Sequence, residues 1–190
     1  MVDKIYNFLE NRFLEQQTIT EGGALRSFSG ETVELLIDYV WNELLKKYSR
    51  NGNSKIGSQD SFIIHSKSGE IEESVDRHLY LDGKCVCIIE YKTYLDKCYM
   101  QRASSDFELI KKEYPDTYSI IVSLEDSIAT NAYNFWMEEG FINQTFIFAD
   151  GKRNSKADKR IYFTYKNRLN REKIQKFVDF MEGFFNENQY

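Results

Sequence analysis

One proline, two histidines and three cysteines in 190 residues leave little for a disulfide scaffold or a zinc site to be built from. No apolar run approaches the roughly 20 residues of a membrane-spanning helix. Met1-Val2-Asp3-Lys4 does not open onto the apolar core of a signal peptide, so a soluble cytoplasmic protein is expected. Cys85 and Cys87, one residue apart, do not make a disulfide framework, and no Cys or His pair stands at zinc spacing. All three cysteines are expected as small core residues. His65 and His78 are isolated and make neither a nucleophilic nor a zinc site, so packing or hydrogen bonding is expected of them. Pro115 is the only proline, and no repeat or low-complexity tract interrupts the chain. With 42% hydrophobic and 15% aromatic residues, the composition suits one sizeable core, hence a single domain over 1–190.

Acidic residues outnumber basic ones, giving a net charge of −5, which averaged over the surface opposes binding to nucleic acid. The average conceals an asymmetry. Between Asp150 and Lys176 stand ten Lys or Arg against three acids, a local charge of +7 that leaves −12 for the rest. Such a segment can attract phosphate on a globally acidic protein.

Apolar periodicity predicts helices at about 3–15 and over 30–48, the second capped by Ser29. Ser49 to Gln59, rich in Asn, Gly and Ser, reads as a loop. Strands are expected at Ser61–His65, at about 71–81 and at about 84–92, turned by Ser68-Gly69 and Asp82-Gly83 into a β-meander. A helix at 95–113, a buried strand at 118–124, a helix at 126–139 and a strand at 144–148 follow. The basic loop begins at Asp150-Gly151, Ile161 to Tyr165 suits a short strand, and 170–186 suits a final amphipathic helix. The fold class is therefore α/β, a mixed central sheet flanked by helices.

Glu90-Tyr91-Lys92 ends the apolar run Cys85-Val86-Cys87-Ile88-Ile89, fourteen residues after Asp76. These residues put two carboxylates and an ammonium at one end of a buried hairpin. Hydrolysis of a phosphodiester needs a hard divalent cation on oxygen ligands and a positioned water, and such a strand holds both rigidly. The acid followed by Glu-x-Lys resembles the PD-(D/E)XK nuclease motif. The element order over roughly 30–150 is also similar to the restriction endonuclease-like fold.

The resemblance implies a Mg²⁺-dependent type II restriction endonuclease acting on double-stranded DNA. Asp76 and Glu90 are expected as metal ligands together with the Tyr91 carbonyl, and Lys92 as the group that orients the water, stabilises the pentavalent charge or acts as base. Related nucleases often add a helical glutamate four residues after a glycine, and Gly30 and Glu34 look similar. Glu72 and Glu73 lie near enough in sequence to join the site, and Val75 stands where the family carries proline. Gln101 and Arg102 resemble helix residues that approach the scissile phosphate. Ser105 replaces the tyrosine of recombination-type members, which favours the restriction group. Base and phosphate contacts are expected from Lys152, Arg153, Asn154 and Lys156. A homodimer is expected, because one motif per chain cuts one strand. The alternatives are another nuclease of the superfamily, such as a nicking subunit or repair endonuclease, and a non-catalytic nucleic-acid-binding domain retaining the fold.

Parity decides whether the site can exist. With a two-residue Asp82-Gly83 loop and no irregularity, Glu90 faces Val75 and the two acids point apart. A three-residue loop, with Tyr80 paired to Lys84, puts Asp76, Glu90 and Lys92 on one face. A bulge elsewhere serves equally. His78 would share that face.

Overall fold

The computed structural model describes residues 1–16, 22–48, 54–57, 62–151 and 169–187. Within them the order is α1 (Val2–Gln16), α2 (Gly22–Lys47), β1 (Lys55–Gly57), β2 (Phe62–Ser66), β3 (Gly69–Glu73), β4 (Arg77–Leu81), β5 (Lys84–Leu95), α3 (Lys97–Glu113), β6 (Tyr118–Asp126), α4 (Thr130–Glu139), β7 (Gln144–Ile147) and α5 (Arg171–Glu187). Five strands form one sheet in the order β1-β4-β5-β6-β7. The pairs β1–β4 and β4–β5 are antiparallel, whereas β5–β6 and β6–β7 are parallel, so the sheet is mixed. The helices α3 and α4 make the crossovers that parallel neighbours require. The expected α/β class, a mixed central sheet flanked by helices, is what the chain adopts. No helix among the described residues is long and apolar enough to cross a membrane.

Each face of the sheet has its own core. Leu79, Cys87, Ile89, Ile120, Val122 and Leu124 pack with α1, α2 and α5, around the fully buried Trp41, Phe177 and Phe185. Ile88 and Ile121 pack on the other side with Met100, Ala103 and Phe107 of α3. A central strand covered on both faces is apolar throughout, and Val86 to Ile89 is such a run.

Four expectations change, one of them at Cys98, which is exposed near the start of α3 rather than in the core. The helix expected over 30–48 starts at Gly22, so Ser29 lies inside it rather than capping it. Contacts from α1 hold this extension: the Arg12 guanidinium lies 3.8 Å over the Phe28 ring, and its Nε donates to Thr32 Oγ1. Within the expected loop Ser49–Gln59, Lys55–Gly57 form strand β1, paired with β4 on the side away from β5. The expected strand 71–81 breaks at Ser74-Val75-Asp76, so β2 and β3 form a separate two-stranded sheet and the three-strand meander does not exist. Phe62, Ile64 and Val75 join the core under α3, which bends the chain away from the main sheet at this point. Ile161 to Tyr165 lies outside the described residues.

The turn between β4 and β5 has two residues, since Leu81 pairs with Lys84. Asp82 (φ 51°) and Gly83 (φ 86°) are both left-handed, as in a type I′ turn. The three-residue loop is therefore not used. Parity is restored by a bulge: Leu79 pairs with Cys87 and Tyr80 with Cys85, leaving Val86 as the extra residue. Val86 and Cys87 consequently pack into the same core, which consecutive residues of a regular strand do not do.

The chain leaves β5 through Asp96, whose carboxylate accepts from the Tyr99 amide at 2.9 Å and caps α3. This cap fixes α3 directly behind the strand that carries Glu90 and Lys92. Asp96→Ala is expected to lower unfolding free energy by about 1 kcal/mol. Urea denaturation measures this, and an unchanged midpoint would show the cap to be dispensable.

Candidate active site

Past the bulge, Arg77 pairs with Ile89, and the next step of that register sets Asp76 opposite Glu90. Both acids, with Lys92 two residues on, lie on the α3 side of the sheet. Lys92 Nζ is 3.3 Å from Asp76 Oδ2 and is hydrogen-bonded to Glu90 Oε2. The Tyr91 amide donates to Asp76 Oδ2 at 2.9 Å, taking up the carboxylate where β4 has not yet begun. Asp76, Glu90, Tyr91 and Lys92 are thus brought together as one cluster.

Its electrostatics are those of a crowded, dry site. Glu90 is 7% exposed, and burial, reinforced by the Asp76 charge, pushes its carboxyl up to about 7 despite the opposing pull of Lys92. Burial disfavours the Lys92 ammonium, but Glu90 and Asp76 outweigh it and raise its pKa. Lys92 therefore stays charged through neutral pH. Two carboxylates share one ammonium.

The other expected residues are placed as follows. Glu34 lies on α2, across the sheet from this cluster, where its Oε2 accepts from Arg77 Nη2 at 3.0 Å. Glu73 is half-buried at the end of β3, and burial and the Asp106 charge raise its carboxyl. Glu72 is exposed on the same hairpin, paired across from Ile63. Gln101 and Arg102 are exposed on α3, with Arg102 Nε 3.7 Å from Asp106 Oδ2. His78 is fully buried with its ring 4.4 Å from that of Phe62, a packing position. His65 sits on the β2–β3 hairpin beside Glu70 and Glu113. Lys152, Arg153, Asn154 and Lys156 lie outside the described residues.

Three residues absent from the sequence expectations border the site. Asp106 of α3 has its carboxyl raised by burial against the pull of Arg102, 3.7 Å away, and of Lys92. Arg77, buried, pairs with the half-buried Asp38 on the other side of β4, at 2.7 Å. The signal for the latter was present: Glu34 and Asp38 are like charges four residues apart on a helix, a spacing that repels unless a cation intervenes.

No protein-family profile matches the chain. Over 92 residues, 48% of its length, the chain is 34% identical to the type II restriction enzyme DdeI of Desulfomicrobium norvegicum. The match takes in 33% of that enzyme, so the chain spans about a third of the relative's length. Among solved structures it is similar to the native BbvCI A2B2 tetramer, at 13% identity and a TM-score of 0.44 over 98% of this chain and 89% of that one. About half of the chain is therefore similar in sequence to part of a type II restriction enzyme.

Proposed function

We propose that this protein is a Mg²⁺-dependent type II restriction endonuclease, cytoplasmic and homodimeric, that hydrolyses phosphodiester bonds at a short specific sequence in double-stranded DNA. The observation that carries the reading is the convergence of Asp76, Glu90 and Lys92 on one face at the end of a buried hairpin. The similarity to a restriction enzyme supports it.

The donor set suits a hard cation. Among the described residues no group of three or more His, Cys, Asp or Glu gathers at metal-binding spacing, so Asp76 and Glu90 would hold the ion with a main-chain carbonyl and water. Mg²⁺ accepts such a shell, keeping several waters beside one or two carboxylates. In an extended strand a residue's N–H and C=O point to the same side, so the Tyr91 carbonyl faces the side on which its amide meets Asp76. Once Glu90 ionises, one ammonium against two carboxylates leaves a net negative site, which favours a divalent cation. When bound there, Mg²⁺ would lower the pKa of a coordinated water and polarise the phosphoryl group.

The chain's own residues supply the remainder. The Tyr91 amide and Lys92 orient the Asp76 carboxylate, and the rigid strand holds Glu90 beside it. Lys92, an ammonium between its two acids, donates hydrogen bonds to the attacking water and to the phosphoryl oxygens on which negative charge develops. Gln101, Arg102 and the basic segment from Lys152 to Lys156 are proposed to meet the DNA backbone and bases. Cutting both strands at once would take two copies, each supplying one site.

Incubation of the purified protein with plasmid and phage DNA tests the reading. Discrete fragments are expected with Mg²⁺, and none with EDTA or with Asp76→Asn. Nicked circles alone would point to a nicking subunit. DNA that is bound but never cut, across varied sequences, would turn the reading to a non-catalytic binding domain.

A further inference from the structure

Arg77 follows Asp76 in sequence and points to the opposite face of the sheet, toward α2. It is 7% exposed, and its guanidinium is used on every edge. Nε and Nη2 fork onto Asp38 Oδ1 and Oδ2 at 2.7 and 3.2 Å. Nη2 also donates to Glu34 Oε2 at 3.0 Å, and Nη1 donates to the main-chain carbonyl of Asp76 at 2.7 Å. A guanidinium is planar and its N–H directions are fixed, so anchoring two edges on α2 fixes the direction of the third.

That third edge falls where the backbone needs it. Paired residues of β4 begin at Arg77↔Ile89, one residue after Asp76. The Asp76 main chain is therefore held by Arg77, while its side chain is held by the Tyr91 amide and Lys92. Glu34 and Asp38, one turn apart on a long helix, form a rigid anchor for this arrangement. We infer that Arg77, clamped by Glu34 and Asp38, is a positioning residue that sets the Asp76 carboxylate against Glu90 and Lys92. Glu34 thus acts through Arg77 and not by touching a metal ion or the substrate. The catalytic consequence rests on the nuclease reading; the structural one does not.

Two measurements on the full chain test this together. Arg77→Lys keeps the charge but loses the fork, and Glu34→Gln and Asp38→Asn keep the size of each anchor. Amide hydrogen exchange without metal is read at Tyr91, whose N–H meets Asp76, and at Ile121 in the sheet core. In Arg77→Lys the Tyr91 amide is expected to exchange roughly tenfold faster or more while Ile121 changes little, a local opening rather than a global one. Asp38→Asn and Glu34→Gln should show the same pattern more weakly, and keep the test open if Arg77→Lys does not fold. With DNA and Mg²⁺, kcat should fall by up to about 100-fold, the scale of a misplaced catalytic group, with KM for DNA unchanged. Tyr91 exchange accelerating no more than Ile121 overturns the inference. So does a Glu34→Gln variant that loses cleavage with Tyr91 protection intact, because Glu34 would then act by direct contact. A wild-type protein that cuts no DNA, yet shows the Tyr91 loosening in Arg77→Lys, overturns the nuclease reading and sustains the clamp.

Discussion

Lys92→Ala is expected to reduce DNA cleavage by about 10³-fold, the middle of the range for a positioned proton donor or acceptor. The loss should lie in kcat, since Lys92 is only 21% exposed and sits between Asp76 and Glu90 rather than on a DNA-facing surface. The variant should also be less stable in EDTA, because two adjacent carboxylates lose their shared cation. Part of that stability should return on adding Ca²⁺ or Mg²⁺, which supplies the missing positive charge. Lys92→Arg should rescue poorly: a planar fork does not replace a single Nζ held between two carboxylates. Thermal denaturation with and without divalent ion, beside single-turnover cleavage, checks both parts. A variant that cleaves within tenfold of the wild type would remove Lys92 from the mechanism.

Glu90→Gln is expected to abolish cleavage and yet raise the stability of the metal-free protein at pH 8. The sign follows from linkage. The unfolded carboxyl titrates near 4.5 and the folded one at about 7, so between those values the folded state holds a proton that the unfolded state has lost. Wild-type stability should therefore fall as pH rises from about 4.5 to about 7, and stay low above it. Glutamine carries no charge to bury, so the variant lacks this decline. The rise from 4.5 to about 7 puts the gain at up to about 3 kcal/mol at pH 8. Lys92, raised from 10.5, contributes stability that is present below its unfolded pKa and lost only at higher pH, so it leaves this window flat. Mg²⁺ should raise the melting temperature of the wild type at pH 8 and leave that of the variant nearly unchanged. A Glu90→Gln protein no more stable than wild type at pH 8 in EDTA would show that the site is not strained in this way. Stability given up at one carboxylate is what a site arranged for binding a cation entails.

The residues of the cluster were legible in the sequence because their chemistry is carried by three side chains within seventeen positions of each other, on strands with strong apolar signatures. Their geometry was not. Val86 to Ile89 is apolar on both faces, so hydrophobic alternation, which pins the register of a half-exposed strand, gives no parity here. Asp82-Gly83 announced a turn but not its length, and the bulge that rescued the site leaves no mark of its own. The early start of α2 was hidden by Gly22-Gly23 and by serines that suit caps, and was decided by Arg12 from another helix. Arg77 and Asp38 stand 39 positions apart, and only the packing of α2 on the sheet brings them together. The break at Ser74-Val75-Asp76 depended likewise on Val75 finding the core under α3.

The single unpaired residue at Val86 means that distance along the chain from the first acid to Glu-x-Lys is not by itself a signature of this site. What matters is whether the count is odd or even once bulges are included. A relative with one residue fewer between Asp76 and Glu90 and no bulge would present the same acids on the same face, whereas deleting one residue here while keeping the bulge would turn them apart with every side chain of the cluster intact. In such a lineage the geometry of the cluster would be switched by insertions and deletions in a hairpin as readily as by substitutions, and a pattern search that fixes the spacing would score these two hairpins alike.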